Sequence, residues 1–238
     1  MIEMFEGAFK NWKFVLKFLL FSFVFWLLQF SYHYYFVSGG LIELSFIRSF
    51  AFSGATFIGL SLLSSILFKF KPVLARHWDI RRSLGVTGFI FIIFHFFSVV
   101  ILGFKGDARQ IFFSLNPFNN LILFGLLAFL IFLIVFLSSN DFAVKKLGYK
   151  KWKAIQRLVY FAYWAAVTHF ALINPSALMN LSGLLLILVA VLVLLGELYW
   201  FLKTASQKNF RSIGTLIGAV IIALYLISIY FGWPVYFQ

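Results

Sequence analysis

With no cysteine in the chain, disulfides, iron–sulfur clusters and reactive thiols are excluded, and metal chemistry falls to four histidines and seven carboxylates. Two of the histidines, His95 and His169, lie deep in apolar sequence. On a helix, Ala166, Ala165 and Ala162 stand at i−3, i−4 and i−7 from His169 and share its face, while Gly88 at i−7 and Ser98 at i+3 share the face of His95. Small residues next to an imidazole leave a shallow trough in which a flat macrocycle could lie against the backbone. The same residues also suit close packing of two membrane helices. An ionisable side chain inside a membrane points to function before packing, so both histidines are candidate metal ligands.

The elements that must position them follow from composition. The 238 residues are 63% hydrophobic and 11% charged, with mean hydropathy +1.00, and several apolar runs reach the ~20 residues that span a bilayer as helix. The runs are apolar at consecutive positions, which excludes a barrel of short alternating strands. The expected fold is an all-α integral membrane protein, a bundle of about seven transmembrane helices at Phe14–Ser31, Phe50–Phe68, Leu84–Gly103, Leu121–Leu137, Ile155–Ile173, Met179–Trp200 and Ile213–Trp233. The first run resembles a signal-peptide core, but its exit, QFSYHYY, offers no small-residue cleavage site, so it is read as a retained helix. His33 with Tyr32, Tyr34 and Tyr35 reads as an interfacial aromatic belt, and His77 sits in a wet basic loop. Between the third and fourth runs, Ile111, Phe112 and Phe113 suit an interfacial segment.

Charge sets the orientation. Placing the N-terminus and the second, fourth and sixth connections together collects seventeen of the twenty lysines and arginines on one side, which the positive-inside rule makes cytoplasmic. The net charge of +13 is therefore topological and not a nucleic-acid footprint. Spans three and five both rise from that side, with thirteen residues from Arg82 to His95 and twelve from Arg157 to His169. At about 1.5 Å per residue, both imidazoles stand roughly 18–20 Å above the inner edge. Two histidines at one depth on parallel helices match the axial ligation of a six-coordinate b-type haem, in the outer half of a core about 30 Å thick. Arg48, Lys105 and Arg109 are the external cations available to haem propionates.

The segments RRSLGVTGFIFIIFH and LGYKKWKAIQRLVYFAYWAAVTH resemble the two haem-binding helices of the ferric reductase-like transmembrane domain, and within it the MsrQ/YedZ type, the membrane haem subunit of a periplasmic methionine sulfoxide reductase system. The resemblance covers about residues 10 to 200. It implies that His95 and His169 are haem ligands, and that electrons pass from a flavin, nicotinamide or quinol donor through b haem to an acceptor across the membrane. The chain departs from the family pattern in two places. Gln156 stands where the family has a further histidine at the start of the fifth helix, so one haem is expected. Only Leu202 to Arg211 separates the sixth and seventh spans, which leaves no room for the flavin and nicotinamide domain of ferric reductases and NADPH oxidases.

The resulting expectation is a ferric reductase-like core over residues 1–203 with an additional C-terminal helix over 204–238, in a bacterial inner membrane with the N-terminus cytoplasmic and the C-terminus external. His95 and His169 ligate one haem b, with Gly88, Ala162, Ala165 and Ala166 lining its site. The chain acts as an electron-transfer subunit of an oxidoreductase, served by a separate donor, quinol or flavoprotein, and a separate acceptor protein, with quinone or flavin as further possible cofactors. The competing reading is a transporter or assembly factor that retains the fold without redox work. Transport calls for buried carboxylates near the midplane, and Glu197 is the one acid inside an expected span, near its cytoplasmic end.

Overall fold

A computed structural model describes residues 12–116 and 119–205. Seven α-helices follow in order: α1 (Trp12–Tyr32), α2 (Ile42–Phe70), α3 (Trp78–Ser98), α4 (Ile122–Leu137), α5 (Asp141–Leu147), α6 (Tyr149–Ile173) and α7 (Leu181–Ala205). The described residues contain no strand. Five-residue π-helical stretches extend α1 (His33–Val37) and α3 (Val99–Gly103), and short 3-10 turns fill Pro72–His77, Ala108–Phe112 and Pro175–Met179.

Each helix ends where the sequence withdraws a backbone option. Pro72 cannot donate to a preceding turn, so α2 stops at Phe70 and the chain passes through a 3-10 turn into α3. Gly148, at φ +73°, takes the left-handed conformation that separates α5 from α6. The fourth connection, between the expected spans Leu121–Leu137 and Ile155–Ile173, is therefore mostly helical. α5 occupies its middle, and α6 starts at Tyr149, six residues before the expected Ile155, because no helix breaker follows Gly148.

α2 is the axis of the molecule, packed against α1, α3, α6 and α7, while α4 pairs with α6. Its contact with α3 is made by glycines. A Cβ on Gly88 would lie 2.9 Å from the Ile58 backbone nitrogen and 3.0 Å from the Gly54 carbonyl oxygen, and one on Gly54 would lie 2.9 Å from the Gly88 carbonyl. Backbones meet there directly, as small residues permit between helices in lipid. The core runs through Phe57, Leu62, Ile66, Tyr163, Leu186 and Val193, whereas Leu20, Leu28, Leu137 and Leu188 are turned outward. Large apolar side chains on the outside suit a lipid solvent.

Three stretches, Ile42–Phe70, Pro72–Gly103 and Leu181–Thr204, are long and apolar enough to cross a membrane, and α4 with α5 forms a fourth if their 88° bend is taken as one broken span. The expected seventh span at Ile213–Trp233 lies outside the described residues. Inside the bundle, Glu197 of α7 is paired with Lys69 of α2 and accepts a hydrogen bond from the Tyr160 hydroxyl of α6. The one acid expected inside a span is thus neutralised in place.

Candidate functional site

His95 stands one turn before the π-helical stretch that ends α3, and His169 one turn before the end of α6. Each ring is held by a carbonyl from a different helix or helix entrance. His95 Nδ1 is 2.9 Å from the Ile47 carbonyl oxygen on α2, and His169 Nδ1 is 2.9 Å from the Leu121 carbonyl oxygen at the start of α4. A carbonyl can only accept, so the proton of each neutral imidazole resides on Nδ1 and the lone pair on Nε2. A backbone carbonyl that accepts from Nδ1 and so fixes the tautomer is the usual support of a metal-ligating histidine.

Both histidines line one cavity of about 340 Å³ between α2, α3, α4 and α6, inside the roughly 300–1,000 Å³ range of ligand pockets. Its walls are apolar, with Phe52, Phe96, Phe129 and Leu186 as the large residues and Ala51, Ala55, Gly125, Ala128 and Ala166 as the small ones. Among the described residues no three of His, Cys, Asp and Glu gather into a metal site. Two imidazoles in an apolar cavity suit an iron whose remaining positions are filled by a macrocycle rather than by the protein.

The expected lining is only partly there. Ala166 faces the cavity, but Ala162 and Ala165 pack into the core beside Tyr163, Trp164 and Val167. Gly88 makes the α2–α3 contact and does not line the cavity. The glycine that does is Gly125 of α4, where an added Cβ would lie 2.9 Å from both Cε1 and Nε2 of His169. Its signal in the sequence is the small pair Gly125 and Ala128, i and i+3 in an otherwise large apolar run, matched by Ala51 and Ala55 on α2. Ile111 belongs to the cavity wall and is buried, while Phe112 and Phe113 remain exposed as an interfacial segment requires.

Two other expectations need correction. His33 is not in an interfacial belt: it is fully buried, its ring stacked on Phe52 at 5.0 Å, while Tyr35 and Phe36 are exposed. His33 lies one turn beyond Gln29, which is buried and accepts a hydrogen bond from Ser182 of α7, so both fall on the inward face of the helix. Of the three external cations, Arg109 is engaged by Asp107, whose carboxyl it holds below the usual carboxylate range, and Arg48 donates to the Val37 carbonyl and Ser38 hydroxyl. Lys105 follows Phe104, a cavity residue, in a left-handed conformation at φ 50°.

Gln156 lies beside a second cavity of about 300 Å³ nearer the other end of the bundle, together with Arg81, Arg82 and Trp152. Its amide nitrogen donates to the Val135 carbonyl at 3.1 Å and lies within 2.9 and 3.3 Å of the Ser138 and Ser139 hydroxyls. Arg82 donates twice to the Ser139 carbonyl and Trp152 to the Ser138 carbonyl. These side chains satisfy the carbonyls left over where α4 ends. The position at which a further histidine was expected thus secures the α4–α5 bend.

Residues 55–167 match the model of the family described as ferric reductase like transmembrane component, a stretch that takes in His95 and stops two residues before His169. The chain is also similar to proteins named protein-methionine-sulfoxide reductase heme-binding subunit MsrQ, at 28% identity to that of Brucella ovis and 29% to that of Brucella anthropi. Each alignment spans 92 residues, which is 38% of this chain and 40% of the relative. The chain thus matches well under half the length of these relatives. No solved structure matches it. Its central stretch, residues 55–167, is thus similar to ferric reductase-like transmembrane components, and the described residues form an all-helical structure with stretches long and apolar enough to cross a membrane.

Proposed function

We propose that this chain is a membrane cytochrome that binds one b-type haem between His95 and His169 and passes single electrons to a partner protein. The observation that carries the reading is the matched pair of Nδ1-to-carbonyl hydrogen bonds, which leaves two Nε2 lone pairs on one apolar cavity. A haem bound there would supply a one-electron ferric/ferrous couple; His95 and His169 would hold its iron, and the apolar wall would exclude water and so set the potential. Phe52, Phe96 and Phe129 do the excluding, and Gly125 keeps the space beside the His169 imidazole clear. Lys105 is the external cation left for a propionate.

The proposal includes the topology read from charge: about seven spans, an inner bacterial membrane, the N-terminus inside and the C-terminus outside, with residues 1–203 as the core and 204–238 as an added helix. Electrons come from a separate donor, membrane quinol or a cytoplasmic flavoprotein, and leave to an external oxidoreductase. The names of the similar proteins, heme-binding subunits of a protein-methionine-sulfoxide reductase, support that division of labour. Transport is disfavoured because the intramembrane acid Glu197 is already bound to Lys69 and Tyr160.

The test is an ultraviolet–visible spectrum of protein expressed with a haem supply, taken oxidised and then reduced with dithionite. The expected result is a low-spin b-type spectrum, because two neutral imidazoles impose a strong axial field. A haem-supplied preparation without a Soret band overturns the reading.

A further inference from the structure

His33 combines deep burial with unsatisfied polarity. It opens the π-helical stretch that ends α1, a backbone form that recurs at functional sites. It is 0% exposed, and neither ring nitrogen has a hydrogen-bond partner. Burying a polar group without a partner is costly, so a residue of this kind persists when it has work to do. Two further buried oxygens without partners, Ser53 Oγ and Thr56 Oγ1, lie on α2 within about one turn of Phe52, the residue on which His33 stacks. Phe52 is also a wall of the haem cavity and meets Phe170, the neighbour of His169, edge-on at 4.8 Å. One aromatic ring therefore stands between His33 and the cavity.

The charged and titratable groups around His33 are few. α2 contributes Arg48, which acts on it electrostatically and has the same sign as an imidazolium. On its own helix Tyr32 lies edge-on, its hydroxyl accepting from the Leu181 N–H. The α6 side presents Phe170 through Phe52, and the α7 side presents Ser182, bonded to Gln29. None of the described salt bridges places a carboxylate on His33. A proton on His33 has no counter-charge in this surrounding until negative charge arrives in the cavity, and in a low-dielectric interior such charges are felt strongly.

We propose that His33 is the proton-accepting group coupled to electron transfer, taking up one proton when the site between His95 and His169 is reduced and releasing it on reoxidation. The inference rests on the haem reading above. One electron from the donor converts ferric iron to ferrous, and one proton from water converts the His33 imidazole to imidazolium, so the charge of the bundle interior is unchanged. His33 stands at the end of α1, where the π-helical stretch stops before Ser38 and the chain turns at Gly39 and Gly40. Once protonated, both ring nitrogens donate.

The experiment is a redox titration of the haem-loaded full chain at a series of pH values bracketing imidazole titration. In the unchanged protein the midpoint potential should fall as pH rises, because the reduced form loses its proton, and electrochemical reduction in weak buffer should take up protons. In His33→Phe the slope should flatten and the uptake disappear with the haem spectrum retained. His33→Gln serves as the second variant, keeping a polar side chain of similar size that cannot titrate in this range. A flat slope in the unchanged protein, or an unaltered slope in the variant that retains its haem spectrum, overturns the proposal. A chain with no Soret band at the outset is instead a failure of the haem reading, recorded before any potential is measured.

Discussion

At the scale of single residues, the two glycines that sequence and structure weigh differently allow a clean separation of binding from packing. Gly125 faces the His169 imidazole, whereas Gly88 faces the backbone of α2. Gly125→Leu is expected to fill the space beside His169 Nε2 and to abolish haem incorporation while leaving the helices assembled, read as a lost Soret band with unchanged helical circular dichroism. Gly88→Ala, in contrast, presses a methyl group on the Ile58 and Gly54 backbone and should cost about 1–3 kcal/mol of stability. Its surviving folded fraction should keep the spectrum. The opposite pattern, with Gly88→Ala haem-free and Gly125→Leu loaded, would place the cofactor at the α2–α3 contact instead. The sequence could point to both histidines because an imidazole in apolar surroundings is conspicuous. It could not choose the right glycine, since spacing along one helix does not say which neighbour that face meets.

Among the elements, the same division holds. Apolar runs made the long helices legible, and the two histidines singled out in them, His95 and His169, line one cavity. The α4–α5 bend was not legible, because it depends on side chains distant in sequence that converge on one helix end. Gln156, Arg82 and Trp152 all donate into the Val135–Ser139 stretch. Gln156→Leu removes an amide donor and leaves the Val135 carbonyl and two hydroxyls without it, so a loss of about 1–3 kcal/mol is expected. Thermal unfolding in detergent measures this, and the haem spectrum should be unaltered because Gln156 does not line the cavity of His95 and His169. A spectral change in Gln156→Leu would mean that this glutamine reports on a haem of its own. His33 is illegible in the sequence for a related reason: Tyr35 beside it does face outward, and only packing against Phe52 of α2 shows the histidine to be inside.

For the whole molecule, the decisive quantity is how many haems the bundle holds, since it fixes how electrons can cross it. The outer cavity has two imidazoles aimed into it. The inner cavity is lined by Arg81, Arg82, Trp78, Trp152 and Gln156 and by no histidine. His77, the nearest histidine in sequence, is exposed and accepts a hydrogen bond from Arg76, while His33 is sealed behind Phe52. Glutamine is a poor ligand for ferric iron, and here its amide nitrogen is already directed at the end of α4. One haem per chain is therefore expected. His95→Ala or His169→Ala should remove it, and His77→Ala should leave it untouched. Pyridine haemochrome absorbance divided by protein mass gives the ratio directly. A value near two in the unchanged protein would require a ligand set other than histidine in the cavity beside Gln156, whereas a value near one confines the electron to the cavity of His95 and His169 and favours a donor that reaches it there, such as a membrane quinol.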